Sequence, residues 1–167
     1  LPRDLIGSRD AIREGASSRS AFVIGISFAV SAGLAREYDG EDLLREPWHA
    51  LRPLVASLVS GTTLFLLVHA AAVLGSRRAD GKPPPFGQAY RAFMGLFWMT
   101  APMAWLYAIP YERFMSPVDA IGVNLWTLAI VAAWRVVLIT RVISVLYGVS
   151  WLIAFCLVML FADAVVF

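Results

Sequence analysis

The sequence contains few of the residues that bind metal ions or form covalent cross-links. Its 167 residues include one cysteine, Cys156, and two histidines, His49 and His69. A single cysteine excludes a disulfide within the chain, and this set of soft ligands is too small for a zinc or iron–sulfur site. The two histidines would lie about 30 Å apart along a continuous helix, so they cannot ligate opposite faces of one haem iron. We therefore expect no metal site.

Charged residues are also scarce, at 16% of the chain, and they gather in short clusters between apolar runs. This pattern excludes a disordered or coiled-coil protein, and it excludes a nucleic-acid binder despite an isoelectric point near 9.0. Hydrophobic residues make up 59% of the chain, and the mean hydropathy is +0.70. A soluble domain of this length cannot bury so much apolar surface, so the composition predicts an integral membrane protein.

Five apolar segments approach the length of about 20 residues that a helix needs to cross a bilayer. They are continuously apolar and do not alternate with a period of two, which favours helices over a membrane barrel. The fourth and fifth segments lie so close together that one bent helix is the alternative there. We predict an all-α polytopic membrane helix bundle with spans at about residues 20–35, 53–75, 88–109, 119–140 and 143–167.

Residues 1–19 mix charged and apolar side chains, which is typical of an interfacial amphipathic helix with Ser8 as its N-cap. The segment lacks the apolar core of a signal peptide, and the missing initial methionine is compatible with residues upstream of Leu1. Ten lysines and arginines fall on this side of the predicted bundle and four on the other. Because cytoplasmic loops carry the excess of basic residues, we predict a cytoplasmic N-terminus and a C-terminus outside the cell membrane.

The loop between the first two spans is the densest polar cluster on the outer side. Its carboxylates are potential ligands for calcium or magnesium, but their spacing matches no calcium loop, and interleaved arginines neutralise them. A short interfacial helix limited by Pro47 explains the same residues, and we favour it. The acidic residues of this outer loop are Glu37, Asp39, Glu41, Asp42 and Glu46.

Small residues recur every four positions in the first span, which allows another helix backbone to approach closely. A second pair of small residues lies on the second span, so we expect these two helices to pack against each other. A seam between two copies of the chain would give the same pattern. The residues are Ala21, Gly25, Ala29 and Gly33 in the first span, and Ser57 and Gly61 in the second.

Ionisable residues inside predicted spans indicate functional sites, because burying a charge in lipid costs about 3 kcal/mol or more. His69 in the second span and Arg135 in the fourth each lie roughly 9 Å from the cytoplasmic end. In the third span, the sequence Thr100-Ala101-Pro102 interrupts the helix. The alternatives are a simple kink and a broken helix that lines a cavity. Our candidate site for a ligand or lipid headgroup consists of His69, Thr100, Pro102 and Arg135, with Arg135 binding an anionic group.

A structural interpretation of the same residues is simpler and we favour it at this point. An arginine near the interface can extend to water, and a neutral histidine can bond a neighbouring helix. Asp163, in the fifth span, is expected near the outer face, roughly 30 Å from the cytoplasmic end and too far from Arg135 to pair with it. No serine stands beside an activating base, and no glycine-rich phosphate loop is present, so we lean against an enzyme.

The five predicted spans and the proline-rich second loop are accompanied by two local sequence stretches. These stretches are Gln88-Ala89-Tyr90-Arg91-Ala92-Phe93 before Ala101-Pro102, and Leu125-Trp126-Thr127-Leu128 before Arg135. In these features the chain resembles the Yip1-type family of five-helix membrane proteins. The resemblance implies a role in membrane organisation, trafficking or small-molecule permeation, without catalytic residues to transfer.

Our leading hypothesis is a non-enzymatic integral membrane protein without a cofactor, a structural or assembly subunit that packs with other membrane subunits or a second copy in the lipid bilayer. The alternative is a transporter or lipid-binding protein with a site between the second, third and fourth helices. A pigment-binding subunit is a third hypothesis, for which an aromatic content of 13% is only permissive.

Overall fold

A computed structural model describes residues 8–34, 51–76 and 85–166, and every regular element within these ranges is helical. The predicted all-α class is therefore confirmed for this part of the chain. The acidic outer loop and His49 lie outside the described residues. The α-helices are α1 (Arg9–Ser17), α2 (Arg19–Leu34), α3 (Arg52–Ser76), α4 (Phe86–Met99), α5 (Pro117–Tyr147) and α6 (Trp151–Val166), and the 3₁₀ segments Ala101–Ala108 and Tyr111–Arg113 connect α4 to α5.

Two of these helices have the length and apolar composition to cross a membrane. They contribute the segments Leu54–Gly75 in α3 and Pro117–Tyr147 in α5. The apolar segments Ser20–Ala32 in α2 and Trp151–Ala162 in α6 are shorter. Within the described ranges, length and composition thus identify two candidate spans where the sequence predicted five.

The boundary between the fourth and fifth predicted spans was wrong. We placed it at residues 141–142, but α5 continues to Tyr147. The chain turns at Gly148, whose φ of 65° lies in the left-handed region that glycine adopts without steric cost. At its other end, α5 begins at Pro117, and the hydroxyl of Ser116 accepts the backbone N–H of Asp119 at 3.3 Å.

Contacts at both ends of the bundle show that α3, α4 and α5 alternate in direction. Near one end, the indole N–H of Trp98, late in α4, donates to Ser57, early in α3, at 3.1 Å. At the opposite end, the ring of His69 lies 5.3 Å from that of Phe86, the first residue of α4, and 6.1 Å from that of Tyr147, the last of α5. The turn at residue 148 then reverses the chain into α6.

The small residues of α2 have their closest neighbours in α4, whereas we predicted the second span as their partner. A Cβ added at Gly25 would lie 2.7 Å from the backbone oxygen of Gly95, so the two backbones are nearly in contact. Gly61 of α3 likewise faces Met94 of α4, 3.0 Å from the corresponding added Cβ. Ala21 and Ala29 are buried on the same side of α2. Helix α4 is therefore the main neighbour of the small residues of α2, and α2 also packs directly on α3, as predicted.

Helix α1 packs on the bundle and buries its apolar side there. Ile12 is 2% exposed, and a Cβ at Gly15 would meet Leu96 of α4 at 3.0 Å. Ser8 occupies the N-cap position, as predicted, but its side chain makes no capping hydrogen bond. Its backbone oxygen accepts the N–H of Ile12 at 3.0 Å and begins the helix. At Ile12, protein contacts replace the lipid contacts that we predicted for an interfacial helix.

Candidate functional site

A cavity of about 510 Å³ lies between α3, α4, α5 and α6, within the size range of small-molecule sites. Each helix contributes one stripe of residues spaced by three or four positions, as a helix face requires. Most of the wall is apolar. Its polar members are Ser57, Ser60, Thr100 and Arg135, and its apolar members include Leu64, Phe97, Val131, Ile139, Val158, Phe161 and Ala162.

Arg135 carries the only full charge among the described residues that line this cavity. Its guanidinium carbon lies 4.9 Å from the centroid of the Phe97 ring, which is a cation–π contact between α5 and α4. Because α5 continues to Tyr147, Arg135 lies about 18 Å along the helix from its C-terminal end at 1.5 Å per residue. The distance of roughly 9 Å that we predicted from the sequence followed from the wrong helix boundary.

The break in the third predicted span reaches the cavity. The α-helical hydrogen-bond pattern of α4 ends at Met99, and the hydroxyl of Thr100 donates to the backbone oxygen of Phe97 at 2.6 Å. The chain continues as a 3₁₀ helix with Pro102 in its first turn. Thr100 and Ala101 both line the cavity, whereas Pro102 is not among the lining residues. The proline thus changes the helix type beside the cavity without itself forming the wall.

His69 lies apart from Arg135, contrary to the shared site that we predicted. Its ring stacks on Phe65 at 5.2 Å and faces Phe86 at 5.3 Å, and its Nδ1 lies 3.5 Å from the hydroxyl of Tyr147. This aromatic cluster surrounds the C-terminal end of α5. The extra two turns of that helix separate His69 from the level of Arg135. The candidate site is therefore divided: Thr100 and Arg135 share the cavity, and His69 does not.

The register of the α5–α6 hairpin also changes the predicted position of Asp163. Arg135 precedes the turn at Gly148 by about as many residues as Asp163 follows it, so the two positions lie at one level of an antiparallel pair. Ala162, the residue before Asp163, lines the cavity together with Arg135. The expectation that Asp163 lies at the opposite face from Arg135 was therefore wrong.

Sequence reasoning missed several residues of this cavity. Ser57 was predicted only as a packing residue, yet its hydroxyl accepts the Trp98 indole N–H and donates to the Leu54 backbone oxygen at 2.9 Å. Phe97 was not considered, because it lies in a continuous aromatic and apolar run. The wall from α6 was missed as well. Gly148, as a helix-terminating glycine, was the signal that fixes the hairpin register and brings α6 to Arg135.

The sequence matches no family model, no curated protein and no solved structure.

Proposed function

We propose that this chain is a multi-pass integral membrane protein that binds an amphiphilic small molecule or lipid within its helix bundle, as a lipid-binding protein or transporter. The observation that carries this proposal is the position of Arg135 and three hydroxyl side chains in an otherwise apolar cavity. Pockets of this composition bind ligands whose orientation is fixed by a few polar contacts. This proposal refines the site predicted from the sequence, because Ser57 and Phe97 belong to the site and His69 and Pro102 do not.

The exposed apolar surface supports a membrane location. Only 22% of the most apolar window of α3 and 33% of that of α5 is buried, whereas the core helix of a soluble protein is mostly buried. Trp126 is 72% exposed and Leu152 is 65% exposed, on different helices. So many exposed large apolar side chains are unusual for a soluble monomer, and lipid would cover them. Five crossings, with the N-terminus cytoplasmic and the C-terminus outside, are the topology that we propose.

The chemistry of the wall defines the ligand in general terms. A hydrocarbon portion would contact Val131, Ile139 and Val158, and a polar portion would face Arg135. A guanidinium presents planar, directed donors that match carboxylate, phosphate or carbonyl oxygens. Because such bonds are stronger away from water, Arg135 would contribute more to affinity here than at the surface.

Native mass spectrometry tests this proposal. The protein is extracted from its membrane in mild detergent, and the bound small molecules are identified from the mass of the intact complex. We expect a retained amphiphile in the wild type and its loss in Arg135→Leu. The matched control is Arg141→Leu, which removes the same charge from α5 at a residue that does not line the cavity. Equal retention by both variants, each shown to be folded by circular dichroism, would exclude the cavity as the binding site.

A structural or assembly subunit is a second candidate function, and the first half of α5 favours it. Side chains on several faces of this segment are exposed, including Val118 at 80% and Trp126. Helices of another membrane protein, and not only lipid, would cover such a segment. Purification in several mild detergents tests this function: stable co-purifying subunits or a defined homo-oligomer would support it, and a monomer in every detergent would exclude it. Membership of the Yip1-type family is also a proposal, based on the order of the five apolar segments.

A further inference from the structure

A second, smaller crevice lies between α1, the beginning of α4 and the end of α5. Its volume is about 260 Å³, and it is separate from the Arg135 cavity, with which it shares no lining residue. Alanines form much of its wall, which leaves room for a bound group. The polar residues around it are Arg13, Ser17, Gln88 and Tyr147, and the apolar ones are Ala16, Ala89, Ala92, Val145 and Leu146.

The crevice lies at the level of the helix ends. Gln88 is in the first turn of α4, and Tyr147 is the last residue of α5. The rings of Phe86, Tyr90 and His69 gather at the same end of the bundle. Tyrosines concentrate where a membrane meets water, so Tyr90 and Tyr147 indicate that a bilayer around this bundle would place the crevice beside the lipid headgroups.

The charge of the crevice is positive. Arg13 is exposed on α1, and neither aspartate nor glutamate is among the described residues that line the crevice. The Gln88 side chain supplies amide donors, whereas the Ser17 hydroxyl already donates to the Glu14 backbone oxygen at 2.8 Å. Arginine and amide donors around a small space match the oxygens of a phosphate group.

We propose that this crevice binds the phosphate headgroup of an anionic membrane lipid. The volume is below that of a whole-ligand pocket but suits a headgroup, and Val145 and Leu146 provide an apolar side for the first part of the acyl chains. Binding there would fix α1 to the bundle through Arg13. The proposal depends on the membrane location proposed above and is independent of the Arg135 cavity.

The test compares lipid binding by two single-arginine variants of α1. Purified protein in neutral detergent is titrated with phosphatidylglycerol or phosphatidylcholine, and bound lipid is counted by native mass spectrometry. We expect preferential binding of phosphatidylglycerol and an about tenfold loss of that preference in Arg13→Ala, the effect of one charged hydrogen-bonding partner. Arg9→Ala, one turn away on the same helix and outside the crevice, removes the same charge and should retain the preference.

A second variant, Gln88→Leu, should weaken phosphatidylglycerol binding without changing the net charge. Equal loss in Arg9→Ala and Arg13→Ala would overturn the proposal, because it would indicate general attraction to basic residues. Retention in Arg13→Ala would also overturn it. Displacement of phosphatidylglycerol by millimolar inorganic phosphate would identify a soluble anion as the occupant instead of a lipid. Release of the protein from membranes without detergent would refute the proposed membrane location as well as the lipid site. This outcome is therefore distinguishable from failure of the lipid site alone.

Discussion

The guanidinium of Arg135 and the ring of Phe97 lie 4.9 Å apart and join α5 to α4 across the wall of the larger cavity. Neither residue is near the other in sequence, so the contact depends on how the two helices pack. Phe97 is buried, and a cation–π contact away from water is worth up to about 2 kcal/mol, compared with about 0.5 to 1 at an exposed site. The pair therefore links the polar part of the cavity to the stability of the bundle.

A double-mutant cycle should measure this coupling. Phe97→Leu and Arg135→Met keep much of the volume of each side chain, and the coupling free energy between them should be about 1 kcal/mol. Thermal unfolding in a single detergent gives the four stabilities. The control cycle pairs Phe65→Leu, at the His69 end of the bundle, with Arg135→Met. Strict additivity in the Phe97 cycle would show that the contact contributes nothing.

The crossing of α2 and α4 should not tolerate a methyl group. In Gly25→Ala the new Cβ would lie 2.7 Å from the Gly95 backbone oxygen, and neither backbone can move as a side chain would. We expect a loss of about 1 to 3 kcal/mol in unfolding free energy, the usual cost of overpacking. Gly122→Ala is the matched control, because no heavy atom lies within 4 Å of its added Cβ and helix propensity favours alanine. A harmless Gly25→Ala would contradict the close approach.

The turn between α5 and α6 requires a residue that adopts positive φ. Gly148→Ala should cost about 1 to 2 kcal/mol, because φ is 65° and a Cβ is disfavoured there. Gly148→Asn should cost less, since asparagine adopts this conformation more readily. No heavy atom lies within 4 Å of a Cβ added at Gly148, so a steric clash cannot explain a loss of stability. The difference in stability between the two variants therefore reports the backbone conformation. Equal thermal stability of all three proteins would show that α5 does not end in this conformation.

The hydrogen bond between Trp98 and Ser57 should stabilise the packing of α3 on α4. Ser57→Ala would leave the buried indole N–H without this acceptor, at a cost of about 1 to 3 kcal/mol. Ser27→Ala is the control, because that exposed hydroxyl donates to the Val23 oxygen of its own helix. Its effect should stay within about 0.5 kcal/mol in the same unfolding assay. A similar small effect at Ser57 would argue against a structural role for the bond.

Hydropathy predicted the order and approximate position of the helices, because apolar runs of this length have few other structures available. It did not locate the turn before α6: no proline or glycine marks residues 140–142, and the apolar pattern continues up to Gly148. That error displaced Arg135 by two turns and gave the wrong pairing with His69. Periodicity likewise identified the packed face of α2 but could not identify Gly95 as its neighbour, because a face does not encode its partner.

The length of α5 has a mechanical effect in a bilayer. Its 31 residues extend about 46 Å, whereas the hydrocarbon layer is about 30 Å thick. If α5 spans the bilayer as proposed, even a tilt of about 40° would accommodate only part of this excess, and at least one turn would project among the headgroups. Thinner membranes would lean this helix further and shift Arg135 relative to the lipid surface. For the membrane location proposed above, bilayer thickness is consequently a variable that a reconstitution has to control.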